Sequence, residues 1–188
     1  MNIGFAMCGS FCTYHEVFPV MEALAQMHTI IPIFSDVSYT TDSRFGTHNA
    51  HIARAEQICG REVLHTIGQV EPIGPKGMLD ALIIAPCTGN TLAKLAHSIA
   101  DGPVTMATKS HLRNGRPSVI AVSTNDGLAG AAENIGRLLA RKHYYFVPFG
   151  QDDAKGKPTS LVADFTQIPQ TLDAALEGRQ IQPVLLQN

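Results

Sequence analysis

The feature that most constrains this chain is a set of short apolar runs without polar alternation. Asn2–Met7, Thr29–Phe34, Ala81–Ala85, Ser118–Val122 and Tyr144–Phe149 are dominated by aliphatic, β-branched or aromatic residues. A strand with one wet face alternates apolar and polar side chains, whereas a strand covered on both faces does not. Segments of helical period lie between the runs. Val17–Met27 places apolar residues at 17, 18, 21, 24 and 27. Asn49–Cys59, Asn90–Ala100, Thr105–Leu112, Ala129–Lys142 and Ile168–Leu176 also read as helices, and Gly60 stands where a left-handed glycine commonly closes one. Regular alternation of helices with two-sided strands predicts the α/β class. The expected architecture is a three-layer α/β/α sandwich around a mainly parallel, Rossmann-like (flavodoxin-like) sheet of five to six strands. Arg61–Gly77 is broken by Pro72, Pro75 and glycines, and predicts no long element. Asp36–Thr47 and Gly150–Ser160 read as polar loops.

The 188 residues fit one domain, 1–188, without a repeat or linker. A net charge of −2 and scattered basic residues argue against nucleic acid as a partner. No apolar stretch reaches the roughly 20 residues of a membrane span. The chain opens directly on a strand, so a cytoplasmic protein without membrane attachment is expected. Only 16% of residues are charged, which is compatible with surface covered by neighbouring copies or partners. Cys8, Cys12, Cys59 and Cys87 match no common zinc spacing and read as reduced thiols. His48 and His51 lie three apart on a helix. No carboxylate or thiol follows at ligand spacing, so the expectation is two solvent-facing histidines and no metal.

In open parallel sheets, ligands bind beyond the carboxyl ends of the strands. The loops there are Cys8–Tyr14, Ser35–Gly46, Pro86–Asn90, Ser123–Gly127 and Gly150–Asp153. All are rich in small or polar residues, which fits either ordinary turns or one composite site. Gly9-Ser10 allows close backbone approach and offers a hydroxyl, but Gly4 and Gly9 do not make a dinucleotide fingerprint. The loop after the third run is more specific. It leads into a helix N-terminus, where unpaired N–H groups favour an anion, and Thr88, Asn90 and Thr91 add donors. Simple capping by Thr88 or Asn90 is the competing reading. His97 and His111 are candidate proton-transfer groups, but a lone histidine on a helix is more often structural or solvated, so no catalytic residue is assigned.

The string Ala85-Pro86-x-Thr88-x-Asn90-Thr91-x-Ala93-Lys94-x-Ala96 resembles the signature of a flavoprotein family. That family includes FMN-dependent cysteine decarboxylases and flavin prenyltransferases. The resemblance implies that Pro86, Thr88, Asn90 and Thr91 hold FMN, with Gly9, Ser10 and Ser35 as further contacts. Ser123-Thr124-Asn125 stands in the place of a family motif that carries an asparagine. The relatives' habit of burying FMN between protomers implies a trimer-based homo-oligomer. Further strings resemble the dipicolinate synthase branch, in its B subunits: Cys12-Thr13-Tyr14, Thr41-x-Ser43-Arg44-Phe45-Gly46, Glu71-Pro72-Ile73-Gly74-Pro75-Lys76, Arg113-Asn114-x-Arg116-Pro117, Ser123-Thr124-Asn125-Asp126 and Pro148-Phe149-Gly150-Gln151-Asp152-Asp153. This likeness runs from about Asn2 to Leu186. It implies a partner, the nicotinamide-dependent, dehydrogenase-like A subunit of dipicolinate synthase, and oxidation of a lysine-pathway dicarboxylate during spore formation. A dianionic substrate calls for cations, and Arg44, Lys76, Arg113 and Arg116 are the candidates; each reads equally as a solvated surface residue. The decarboxylases carry an essential histidine before the third strand. Here its place falls at or near Pro72, with His65 several residues earlier, so their mechanism does not carry over. A role as assembly partner for the dehydrogenase-like chain, or chemistry closer to the decarboxylases and prenyltransferases, are the alternatives.

Overall fold

All five apolar runs form parallel strands of one sheet. The computed structural model describes residues 1–186. The strands are β1 (Asn2–Met7), β2 (Thr29–Phe34), β3 (Ala81–Cys87), β4 (Ser118–Thr124) and β5 (Tyr144–Phe146). Their order is β2-β1-β3-β4-β5, with β3 buried at every position. Two short strands extend the far edge. β6 (Phe149–Gly150) pairs antiparallel with β7 (Leu161–Ala163), and β7 pairs antiparallel with the upper part of β4. The described residues therefore form seven strands, not five or six. Pro148 has no N–H for the ladder, and it separates β6 from β5 within the expected single run. β7 has three residues, too few to show a period.

The helices are α1 (Tyr14–Ala25), α2 (Asp36–Thr40), α3 (His48–Cys59), α4 (Ile67–Val70), α5 (Gly89–Ala96), α6 (Pro103–Leu112), α7 (Ala132–Leu139) and α8 (Ile168–Leu176). α1 packs with α3 and α8, while α5, α6 and α7 pack together on the opposite face. Local chemistry sets the ends. Thr47 caps α3 by accepting from Ala50 N, and Gly60 closes it at φ 64°. α5 stops four residues before the expected Ala100. Ile99 N returns to Lys94 O (2.8 Å) and Ser98 N to Leu95 O (3.1 Å), a Schellman closure with serine in the usual glycine position. Among the described residues, no helix is long and apolar enough to cross a membrane, and no group of three or more ionisable ligands could hold a metal.

The expectation of two solvent-facing histidines on α3 fails for His51, which is only 8% exposed. It packs against Phe11, Tyr14 and Phe18, with ring centroids at 6.2, 4.8 and 6.2 Å. Its face of α3 meets aromatic residues that a helix periodicity count cannot see. His48 instead pairs with Asp42 at 2.6 Å.

His111 is also buried. Its Nε2–H donates to Pro117 O at 3.0 Å, while Nδ1 has no partner. A second ring proton would therefore sit in a dry site without an acceptor. Burial is the main cause that holds both His111 and His51 below the ordinary histidine pKa. The unfolded chain takes up these protons near pH 6.5 and the folded chain does not. Their stability contribution is thus complete above about pH 6.5 and is lost progressively as pH falls toward the folded pKa. We expect Tm to fall between about pH 7.5 and 5.5. His111→Gln keeps an N–H donor but does not titrate, so it should flatten that fall. Equal slopes for the two proteins would contradict the assignment.

Candidate functional site

The loops at the carboxyl ends of β1, β3 and β4 enclose a cavity of about 920 Å³. Gly9–Thr13 follow β1, Thr88–Asn90 follow β3, and Ser123–Asp126 span the end of β4 and the turn after it. Ser43–Phe45 and residues Asp152, Lys157, Ser160 and Val162 complete the walls. A smaller hollow of about 280 Å³ shares Gly9, Thr88 and Asn90, and adds Ser35, Thr91, Lys94 and Gly102–Thr105. The loop after β3 is thus a saddle between two hollows. It sits beside the β1/β3 switch point, where a sheet of this order opens a crevice.

Hydrogen bonds lock the loops together. Ser10 Oγ lies 2.7 Å from Ser123 Oγ, which ties the β1 loop to the β4 loop across β3. Tyr14 OH donates to Cys8 O (3.1 Å), and Thr13 Oγ1 to Ser10 O (2.9 Å). Cys8 N donates to Pro86 O at 3.2 Å. Ser35 caps α2 by accepting from Ser38 N (3.2 Å), and Ser38 Oγ donates to Met7 O (3.0 Å). Thr124 donates to the Asp126 carboxylate.

The capping reading holds for Thr88, whose hydroxyl accepts from Thr91 N at 3.4 Å. Gly89 and Asn90 open α5, so their N–H groups have no acceptor within the helix. α6 begins at the same hollow with Gly102 and Pro103, and Lys94 brings a cation paired with Asp101 at 2.9 Å. Two glycines are needed for contact alone. A Cβ on Gly89 would lie 2.7 Å from both Asp126 Oδ1 and Thr124 Oγ1, and one on Gly9 would lie 2.8 Å from Val37 Cγ1.

Two buried thiols, Cys8 just after β1 and Cys87 at the end of β3, lie outside the lining of both hollows. Burial pushes Cys8 up to about 11 against the bond from Thr91, and raises Cys87 well above the ordinary thiol value. Both are therefore protonated and unreactive. Cys12 lines the cavity with an exposed side chain.

Seven of the expected cofactor positions line the larger cavity: Gly9, Ser10, Thr88, Asn90, Ser123, Thr124 and Asn125. Ser35 and Thr91 line the smaller hollow. Pro86 lines neither; it lies inside β3, where its carbonyl anchors Cys8. Of the four candidate cations, Arg44 alone reaches the cavity. Lys76, Arg113 and Arg116 lie near the amino ends of the strands, away from it. Arg116 donates to Gly77 O (3.2 Å) and Leu79 O, and Asn114 Nδ2 donates to Gly74 O (3.0 Å). The strings around 71–76 and 113–117 therefore clasp each other. Their position was legible, because both precede a strand and so lie at the end opposite the site. Sequence reasoning reached Phe11, Phe45, Asp126 and Asp152 only as members of the candidate loops, and missed Glu16 and Lys157 as lining residues. Nothing local marks them beyond their place in or beside loops that follow strands.

The Flavoprotein family profile matches residues 1–160. The B subunit of dipicolinate synthase from Bacillus subtilis (strain 168) is 43% identical over 188 residues, covering 100% of this chain and 94% of that protein. The crystal structure of the corresponding B subunit from Bacillus halodurans C superposes with a TM-score of 0.91 at 45% identity, covering 100% of this chain and 96% of that one. The FMN-dependent cysteine decarboxylase SpaF shares the fold, with a TM-score of 0.69 at 22% identity over 93% of this chain and 97% of that one. The chain belongs to the Flavoprotein family, and within that family it is similar along its whole length to the B subunit of dipicolinate synthase.

Proposed function

We propose that this chain is the FMN-binding component of a two-component dipicolinate synthase. With the dehydrogenase-like A subunit it takes part in oxidising a dihydrodipicolinate-type intermediate to dipicolinate, in the cytoplasm of the mother cell of a sporulating bacterium. The observation that carries the reading is the pair of hollows joined at Thr88–Asn90. The smaller suits a phosphate. It combines the hydroxyls of Ser35, Thr88 and Thr91, the Lys94 charge and the starts of α5 and α6. The larger suits a ring system, with Gly9 and Gly89 giving close backbone approach and the Ser10–Ser123 pair offering hydroxyls. Thr124 and Asn125 line the same wall. FMN, when bound, supplies a two-electron acceptor.

The chain's own residues then bind and orient. Arg44 stands on the Ser43–Phe45 wall with its guanidinium 4.8 Å from the Phe45 ring, and takes one substrate carboxylate. Phe11 and Phe45 give the larger cavity its aromatic lining. Trimer-based assembly agrees with low surface charge; sedimentation of a species well above 20.2 kDa is the expected result.

A second reading makes the chain an assembly partner of the dehydrogenase-like component without chemistry of its own. One observation favours it. Among the described residues no histidine lines the larger cavity, so the proton-transfer candidates there are Cys12, Glu16, Asp126, Asp152 and Lys157. An assay of dipicolinate formation separates the two. It would use this chain and the dehydrogenase-like chain, with FMN and the nicotinamide each added or withheld. We expect full rate only with both chains and FMN. A rate independent of FMN leaves the assembly role, and a rate independent of this chain removes both.

A further inference from the structure

A third cavity, of about 490 Å³, lies at the carboxyl end of α5. Its floor is apolar, built from Leu95, Ile99, Leu112 and Tyr144. Ile99, 47% exposed, adds an accessible apolar side chain to it. The rim is cationic. Lys109 and Arg113 come from α6 and the residue after it, and Arg141, Lys142 and His143 from the turn between α7 and β5. Among the described residues no carboxylate lines the cavity. Among them too, Lys109, Arg113 and Lys142 have no ion-pair or hydrogen-bond partner through their side chains. Arg141 is fixed into the wall by bonds to Leu95 O (3.0 Å) and Ala96 O (2.6 Å).

A second observation falls on the same place. Two non-glycine residues among those described have positive φ, Ser98 at 59° and His143 at 70°, and both line this cavity. Left-handed backbone is uncommon at residues with side chains; Ser98 takes it as the closing residue of the α5 Schellman motif, and histidine is among the side chains that tolerate it. Ser98 closes α5 and His143 starts the run into β5, positions that glycine would fill without strain.

Uncompensated cations reaching in from two separate elements over an apolar floor select a ligand. It must carry at least two negative charges on an apolar body. We infer that this cavity binds a small organic dianion, with carboxylate or phosphate groups on a hydrocarbon-like frame. Arg113 then has its partner here rather than at the carboxyl-end cavity. The inference is independent of FMN binding and of the proposed reaction.

The test is calorimetric titration of the full chain, with FMN in excess. The probes are benzene-1,3-dicarboxylate, phenyl phosphate and inorganic phosphate. We expect one or both organic dianions to bind at submillimolar concentration and more tightly than inorganic phosphate. Lys109→Gln/Arg113→Gln should weaken that binding at least about tenfold, and Lys142→Gln severalfold. Arg61→Gln, at an exposed residue that lines neither this cavity nor the two hollows, should leave it unchanged. The altered side chains lie at the surface, and circular dichroism would confirm that the variants fold. Carboxylate and phosphate probes separate the two anion types. No binding of either organic dianion at millimolar concentration overturns the inference. So does binding that the rim variants leave unchanged, or inorganic phosphate binding as tightly as phenyl phosphate.

Discussion

Asn90→Asp is expected to weaken FMN binding by about tenfold to several-hundredfold while the protein stays folded. Asn90 is the second residue of α5 and borders both hollows, beside Thr88 and Gly9. A carboxylate there would face the phosphate assigned to the smaller hollow. Like charges a few ångströms apart near a protein surface repel by about 1–4 kcal/mol, and each 1.4 kcal/mol is about tenfold in affinity. The helix itself has no reason to weaken. Thr88, not Asn90, is its cap, and a negative charge in the first turn suits the helix dipole. The variant thus separates the ligand from the fold. Flavin fluorescence titration of wild type and variant, with circular dichroism as the control, makes the measurement. If the wild type binds FMN and the folded variant binds it equally well, the phosphate lies elsewhere. If the wild type does not bind FMN at all, the cofactor reading itself fails.

Gly74→Ala is expected to lower stability by about 2–3 kcal/mol, or about 5–10 °C in Tm for a domain of this size. Gly74 sits at φ −71°, a conformation alanine adopts freely, so the cost is purely one of space. A Cβ there would lie 2.5 Å from Ser110 O and 3.0 Å from Ser110 C. Those are backbone atoms of α6, which cannot rotate away as a flexible side chain would. The shift would also strain the bond from Asn114 Nδ2 to Gly74 O at 3.0 Å. Gly68→Ala is the matched control. Gly68 lies in α4 with nothing within 4 Å of its added Cβ, and loss of a helical glycine there is neutral or slightly stabilising. Denaturant melts of the two variants check the pair. A Gly74→Ala protein as stable as the wild type would mean that α6 and the segment before β3 do not pack this closely.

Much of this protein was legible in its sequence. The two-sided apolar runs named the parallel strands, four of them to within two residues, and Thr88 and Gly60 marked helix ends where they stand. Once strands were placed, the rule that ligands lie beyond their carboxyl ends picked the loops that enclose the cavity. These are local properties. Apolar period reports how many faces of an element are covered, and capping chemistry reports where a helix must start or stop.

What the sequence could not supply was which distant residues share a space. The β6 and β7 pair exists because β7 finds the free upper edge of β4, and three residues have no period to announce it. His51 is buried by aromatic residues from the β1 loop and α1, not by anything in its own helix. Arg116 turned out to hold the carbonyls before β3, and Arg113 to border a different cavity from Arg44. The split of the site into two hollows around one loop likewise depends on the start of α6 and on α2 lining the same hollow as α5. A side chain's type limits what it can bind, but its partner is chosen by packing between segments far apart in the chain, and only the tertiary structure contains that choice.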